Sequence, residues 1–170
     1  MNRRTVLLIT LLVVGCSVAQ ESPQEAQVSE QTKGSMDFWV GEWEVFTMDG
    51  KPVGTNRIEK VLDGAAILEH WENSAGIEGK SWFYWMADKR KWKQVWVTPD
   101  GSYKEKVAEA VEGGLLFTGT AFSPDGRSWP DRTRLTVYGE GEVRQEIETS
   151  KDGGKTWTKG WDAVYRRPQG

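Results

Sequence analysis

The chain has 170 residues, of which 38% are hydrophobic and 11% aromatic, and its formal net charge is −3. This length predicts a single domain with its own core. The negative net charge argues against binding to nucleic acid, because proteins that bind nucleic acid normally carry a stripe of basic residues. The single cysteine, Cys16, excludes an intrachain disulfide. Together with the single histidine, His70, it also excludes a metal site built from clustered histidine and cysteine ligands. We therefore predict neither a metal nor a cofactor.

Residues 1–15 have the anatomy of an export signal. Two arginines precede the apolar run VLLITLLVV, residues 6–14, which is too short to cross a bilayer. The sequence LVVGC, residues 12–16, resembles a bacterial lipobox, which implies cleavage before Cys16 and a lipid on that cysteine. The expected location is the bacterial cell envelope, at the outer membrane or the periplasmic face. Residues 17–19 also fit ordinary signal-peptidase cleavage, so a soluble periplasmic or secreted protein is the alternative.

Residues 16–35 are predicted to be the lipidated cysteine and a disordered tether. Residues 17–35 contain no aromatic side chain and are rich in Gln, Glu and Ser. Such a segment buries too little apolar surface to offset the entropy of ordering. A short helical turn over residues 25–31 is the alternative.

Residues 36–168 are predicted to form the folded domain. Short runs of alternating apolar and polar residues recur along it, with Gly, Asp and Pro between them, as is typical of strands joined by tight hairpins. This spacing favours an all-β, up-and-down antiparallel barrel of about ten strands, with a sandwich as the alternative. The predicted strands are 38–47, 53–62, 65–73, 79–87, 91–98, 102–110, 114–122, 130–138, 142–149 and 156–166.

The segment SKDGGKTW, residues 150–157, matches the S-x-D-x-G-x-T-W pattern of an Asp-box. That pattern is a hairpin of sialidases and other propellers, in which the aspartate folds onto its own backbone amides. A single domain of this length cannot supply a propeller of four or more blades. We therefore predict a structural hairpin here and not glycan hydrolysis.

Side-chain alternation along the predicted strands identifies the face that points into the barrel. This face is mostly aromatic and aliphatic, but Glu69, Gln94 and Gln145 interrupt it. A few polar groups among aromatic walls are typical of a ligand cavity; a closed core with a satisfied polar network is the alternative. The predicted ligand-binding residues are Trp43, Glu69, Trp71, Trp85, Gln94, Trp96, Gln145 and Trp161.

Three functions fit this pattern. The first is a binding protein that holds a small apolar or aromatic ligand in the barrel. The second is a structural or protein-interaction module with a filled barrel. The third is an enzyme that uses Glu69 or His70 as its acid–base residue, although alternation places His70 on the face opposite to Glu69. The chain contains no G-x-S-x-G elbow, P-loop or dinucleotide fingerprint, so an enzyme is the less favoured class.

Four segments carry a family resemblance: DFWVGEW at 37–43, EHW at 69–71, WKQVW at 92–96 and DAVYRR at 162–167. Over residues 36–168 the chain resembles a family of uncharacterised bacterial lipocalin-like secreted proteins. The resemblance implies a calycin-type barrel and no established reaction. The distantly similar haem-binding nitrobindins use a histidine near their last strand, and no histidine follows His70. The resemblance therefore does not imply haem.

Overall fold

A computed structural model describes residues 31–169 of the chain. Within these residues, ten antiparallel strands form a closed barrel in which each strand pairs with its neighbours in sequence and the first pairs with the last. The predicted up-and-down barrel is confirmed, and the sandwich is not formed. The predicted signal peptide, Cys16 and most of the predicted tether lie outside the described residues. The strands are β1 Gly41–Thr47, β2 Pro52–Val61, β3 Ala66–Asn73, β4 Glu78–Met86, β5 Lys91–Val97, β6 Tyr103–Val111, β7 Gly114–Phe122, β8 Ser128–Val137, β9 Val143–Thr149 and β10 Thr158–Arg166.

The first predicted strand, 38–47, is wrong over its first residues, because a 3₁₀-helix spans Lys33–Trp39 and β1 begins only at Gly41. Gly41 has a φ of 124°, which allows the chain to change direction between the helix and the strand. A Cβ atom at this position would overlap the guanidinium of Arg167. Among residues 31–169, no helix has the length and apolar character required to cross a bilayer.

The barrel has two different ends. The mouth is the end with the connections β1–β2, β3–β4, β5–β6, β7–β8 and β9–β10, and the closed end carries the connections between. The 3₁₀-helix covers the closed end and buries Met36 and Trp39 completely. The Trp39 ring makes edge contacts with Phe83 at 5.5 Å and with Tyr165 at 6.1 Å. The aromatic core therefore begins under this helix.

The end of the predicted tether, residues 31–35, is part of the packed domain. The Gln31 side chain is buried, donates a hydrogen bond to the carbonyl of Ala108 at 2.7 Å and accepts one from the backbone N–H of Trp92 at 3.2 Å. The indole N–H of Trp92 also donates to the carbonyl of Thr32 at 3.1 Å. Composition alone does not reveal these partners, because they lie on β5 and β6, far away in the sequence.

The barrel closes at a seam between β1 and β10, where the paired residues run from Glu44 opposite Arg166 to Thr47 opposite Ala163. Arg167 reinforces this seam next to the 3₁₀-helix. Its guanidinium donates hydrogen bonds to the carbonyls of Val40 at 2.9 Å and Glu42 at 3.3 Å. The same group stacks over the Trp43 ring at 3.6 Å, a cation–π contact that also holds the indole in place.

Four of the five mouth connections contain the same side-chain turn. In each, a Ser or Thr hydroxyl donates to an Asp two residues later: Thr47 to Asp49, Thr98 to Asp100, Ser123 to Asp125 and Ser150 to Asp152. The predicted structural hairpin at 150–157 is thereby confirmed. Asp152 also accepts backbone N–H bonds from Lys155 and Thr156, and a bond from the Thr156 hydroxyl is the main reason why its pKa falls to about 2. These turns fix the conformation of the mouth connections through local hydrogen bonds.

Candidate functional site

The inward-facing side chains change in character along the barrel axis. Near the closed end they are apolar and fully buried, as Ile67, Phe83 and Trp92 illustrate. The middle is polar although it is also buried, and this polar layer is formed by Asn56, Glu69, Ser81, Gln94, Lys106, Asp131, Thr133 and Gln145. Towards the mouth, partly exposed tryptophans form an aromatic rim, which consists of Trp71, Trp96 and Trp161.

A cavity of about 190 Å³ lies between the polar layer and the aromatic rim. Pockets for drug-sized molecules have roughly 300–1,000 Å³, so this cavity suits a smaller molecule. Its walls combine apolar rings with charged and amide groups. The lining residues are Glu69, Trp71, Gln94, Trp96, Lys104, Lys106, Thr133, Gln145, Ile147, Trp161 and Tyr165.

Glu69 is the carboxyl group in this wall, and its side chain is 5% exposed. Its two oxygens accept hydrogen bonds from the side-chain amide of Asn56, at 2.8 Å, and from the hydroxyl of Ser81. Ser81 in turn accepts a bond from the amide of Gln94 at 3.1 Å. Burial raises the pKa of Glu69 and outweighs these bonds, which act in the opposite direction. The protonated form is thus favoured more strongly than in water.

Glu69→Gln is expected to change how the stability of the barrel depends on pH. Because folding raises the pKa of Glu69, this residue contributes stability below its unfolded pKa, and the contribution is lost as the pH rises through the folded pKa. The side chain of glutamine has nearly the same shape but does not ionise, so its contribution to stability does not fall as the pH rises. The free energy of unfolding of the variant should therefore rise relative to that of the wild type as the pH increases above the unfolded pKa of about 4, as measured by urea titrations.

Glu72→Gln is the matched control for this measurement, because Glu72 lies on the same strand and its side chain is exposed. Its unfolding over the same pH range shows the effect of removing an exposed carboxyl from this strand. An identical profile for Glu69→Gln and the wild type would show that the carboxyl ionises as freely in the barrel as in the unfolded chain.

Two lysines enter the cavity wall from β6 and meet one buried carboxylate. Lys106, which is 2% exposed, forms an ion pair with Asp131 and donates a hydrogen bond to the hydroxyl of Thr133. Lys104 reaches the other oxygen of Asp131 at 3.0 Å. Burial lowers the pKa of Lys106 to about 8, and the nearby charge of Lys104 acts in the same direction. This corner therefore holds two cations beside one fully buried carboxylate.

The remaining walls are ordered by contacts between the lining side chains. The Tyr165 hydroxyl donates to the amide oxygen of Gln145 at 3.0 Å, and burial raises the pKa of this phenol well above its usual range. Trp71 and Trp161 meet edge to face with their ring centroids 5.7 Å apart. The ammonium of Lys104 lies 5.3 Å from the centre of the Trp96 ring. The cavity is thus preorganised by these contacts.

Two polar atoms of the cavity-lining residues are buried without a hydrogen-bond partner among the described residues: the amide oxygen of Gln94 and the indole N–H of Trp161. Leaving a buried polar group unpaired costs about 1–3 kcal/mol. One is an acceptor and the other a donor. A molecule in the cavity that offers the complementary groups would recover this cost.

Six of the eight predicted binding residues line the cavity together: Glu69, Trp71, Gln94, Trp96, Gln145 and Trp161. Trp43 and Trp85 point inward but do not line it. The indole N–H of Trp43 donates to the carbonyl of Trp39 at 2.7 Å, beneath Arg167. The Trp85 ring lies against Trp92 with centroids 5.9 Å apart. Both belong to the packing nearer the closed end.

Five lining residues were not predicted as part of the site, namely Lys104, Lys106, Thr133, Ile147 and Tyr165. The lysines are the most consequential of these for the chemistry of the cavity. The sequence pattern of β6 was ambiguous, because Lys104 and Lys106 share the parity of Ala108 and Ala110, whereas Val107 and Val111 have the opposite parity.

His70 lies on the outer face of β3 and does not line the cavity. Its Nε2 atom is 3.0 Å from a carboxylate oxygen of Glu59 on the neighbouring strand. His70 is therefore not placed to act on a molecule in the cavity.

No protein-family model matches the chain, and no curated protein matches it significantly. Residues 31–169 contain no group of three or more His, Cys, Asp or Glu side chains arranged to hold a metal ion. The chemistry of the cavity is therefore the main guide to function.

Proposed function

We propose that the protein is a lipocalin-like binding protein of the bacterial cell envelope, anchored through a lipid on Cys16, and that it holds a small, partly aromatic molecule in its barrel. The observation that carries the proposal is the cavity itself, in which a buried polar layer lies under an aromatic rim. Tryptophan rings offer stacking surface, and a few convergent polar groups fix orientation.

The filled-barrel alternative is less well supported, because only part of the barrel is filled. Apolar side chains and the 3₁₀-helix occupy the closed end, whereas the part towards the mouth contains the cavity.

A thermal-unfolding screen of the purified protein tests this proposal, with intrinsic tryptophan fluorescence as the second readout. The library should contain aromatic metabolites, fatty acids, haem and sugars. A ligand that binds only the native state raises its stability by about 2.7 kcal/mol at a hundredfold excess over Kd. We expect a hit among small ring-containing compounds, since the cavity volume is about 190 Å³.

Gln94→Ala and Trp96→Ala should both abolish the ligand-induced shift, because both residues line the cavity. Trp82→Ala is the matched control, since Trp82 is 41% exposed on the outer face of β4. A folded wild type that responds to no compound, or a hit that survives both cavity variants, would contradict binding in the barrel.

Acid–base catalysis by Glu69 is the second candidate function, and the raised pKa of this buried carboxyl is the observation that favours it. A buried carboxyl whose pKa is raised suits a general acid. Both Glu69 oxygens already accept hydrogen bonds from Asn56 and Ser81, however, which makes a positioning role for the network equally consistent with the geometry. Turnover of a bound compound that Glu69→Gln abolishes without loss of binding would favour the enzyme.

A further inference from the structure

The hydrogen-bonding capacity of the cavity is unevenly distributed between donors and acceptors. A lysine ammonium has three N–H donors. Lys106 directs its ammonium to Asp131 and Thr133, and Lys104 contacts a single oxygen of Asp131. Both ammonium groups therefore retain donor capacity, and the unpaired indole N–H of Trp161 adds another donor.

The acceptors in the wall are mostly occupied. Both oxygens of Glu69 accept bonds from Asn56 and Ser81, and the amide oxygen of Gln145 accepts the bond from Tyr165. Among the residues that line the cavity, the amide oxygen of Gln94 is the buried acceptor without a hydrogen-bond partner in the described part of the chain. A ligand that fits this wall thus supplies more acceptors than donors.

The charges of the side chains around the cavity also favour a ligand that supplies acceptors, and in particular an anion. Asp131 is fully buried and balances one of the two lysines that meet it. Glu69 is the one carboxyl among the residues that line the cavity, and its raised pKa reduces the negative charge that it contributes. Lys104, Lys106 and Asp131 form the lysine corner, and the protein itself does not fully neutralise the positive charge of this corner.

We propose that the ligand is a small aromatic carboxylate with a single ring. Its acid group is held by Lys104 and Lys106, with the Trp161 indole N–H as a third donor. Its ring lies against the tryptophans of the rim. This inference rests on the proposed binding function, because it names the chemical class of molecule that the same cavity takes.

Calorimetric titration of the purified protein with matched single-ring probes tests the inference. Benzoate, benzamide and benzylamine share one ring and differ in whether the attached group is anionic, neutral or cationic. Because a charge-assisted hydrogen bond is roughly twice as strong as a neutral one, we expect benzoate to bind about tenfold more tightly than benzamide. Benzylamine should bind more weakly than either, and acetate, which lacks the ring, should bind more weakly than benzoate.

Variants then connect this preference to the lysine corner. Lys104→Gln should lower the affinity for benzoate by about tenfold and leave that for benzamide nearly unchanged. Lys104 is partly exposed, so this substitution threatens the fold less than one at Lys106. Lys93→Gln on the outer face of β5 is the matched control, and it should change neither affinity. Trp161→Phe keeps a ring but removes the indole N–H, and it should weaken benzoate binding several-fold.

The inference is overturned if benzamide or benzylamine binds as tightly as benzoate, if Lys104→Gln binds benzoate like the wild type, or if none of the single-ring probes binds. Failure here is distinct from failure of the binding function. If a neutral or cationic library compound binds and Trp96→Ala abolishes that binding, the proposal of binding in the cavity holds and the proposal of a carboxylate ligand fails. If neither a library compound nor a single-ring probe binds, both proposals are contradicted.

Discussion

Asp131→Asn is expected to lower the free energy of unfolding by about 3–5 kcal/mol, because it leaves a buried ammonium without its counter-charge. Asp131 is fully buried, and it is the carboxylate that both Lys104 and Lys106 contact. The amide of asparagine has nearly the same shape but carries no charge. Urea unfolding of the variant and the wild type at neutral pH measures the difference.

Glu109→Gln is the control, since Glu109 forms an ion pair with Lys91 on the outside of the barrel. Exposed pairs contribute about 0–1 kcal/mol, so this variant should unfold almost like the wild type. A loss below about 1 kcal/mol for Asp131→Asn would show that the lysines do not depend on this carboxylate.

The cost of Asp131→Asn should also shrink as the pH rises towards about 8. Folding lowers the pKa of Lys106 from 10.5 to about 8. The unfolded chain therefore holds this proton more tightly, and stability rises with pH from the folded pKa up to the unfolded one. In the variant the neutral amine needs no counter-charge. Asp131 raises the pKa of Lys106, so without it this pKa falls below 8 and the variant begins to gain stability at a lower pH than the wild type. The deficit should therefore decrease as the pH rises towards about 8 and level off above it, and a deficit that does not change with pH would contradict the role of charge.

Trp39→Ala should be comparably damaging at the closed end, with an expected loss of about 3–5 kcal/mol. Trp39 is fully buried under the 3₁₀-helix against Phe83 and Tyr165. Its carbonyl remains available to the indole of Trp43 in the variant, so the loss reports the missing ring and the space that it leaves. Thermal and urea unfolding give the free-energy difference.

Trp82→Ala removes a ring of the same size from the outer face of β4, where the side chain is 41% exposed, and it should cost much less. Trp39→Phe keeps an aromatic ring and removes an indole N–H that has no partner among the described residues, so its loss should be smaller than that of the alanine variant. Equal losses at positions 39 and 82 would show that the helix does not seal the barrel.

The strands and their inward faces could be predicted from the sequence because both depend on local patterns. Period-2 alternation places Glu69, Gln94 and Gln145 inside, and the Asp-Gly turns bound the strands. The height of a residue along the barrel axis is not encoded in this way. Trp43 and Trp85 are on the correct face but nearer the closed end than the cavity, since height depends on strand stagger and tilt.

The lysine corner could not be predicted, for two physical reasons. In β6, Val107 and Val111 compete with Ala108 and Ala110 as candidates for the inward face, so the pattern is ambiguous. A buried lysine also requires a partner, and Asp131 is distant in sequence. The 3₁₀-helix was missed because the alternation around Trp39 fits a strand equally well. Tertiary contacts decide here between a strand and a 3₁₀-helix, and local propensity does not report these contacts.

Both ends of the described chain lie at the closed end of the barrel. Gln31 is bonded to the ends of β5 and β6 there, and Arg167 follows β10 to the carbonyl of Val40. The described chain therefore begins and ends on the side of the barrel opposite to the mouth. In the proposed lipid-anchored form, the folded domain would be connected to its anchor through the closed end, so the aromatic rim and the cavity would not be the point of attachment.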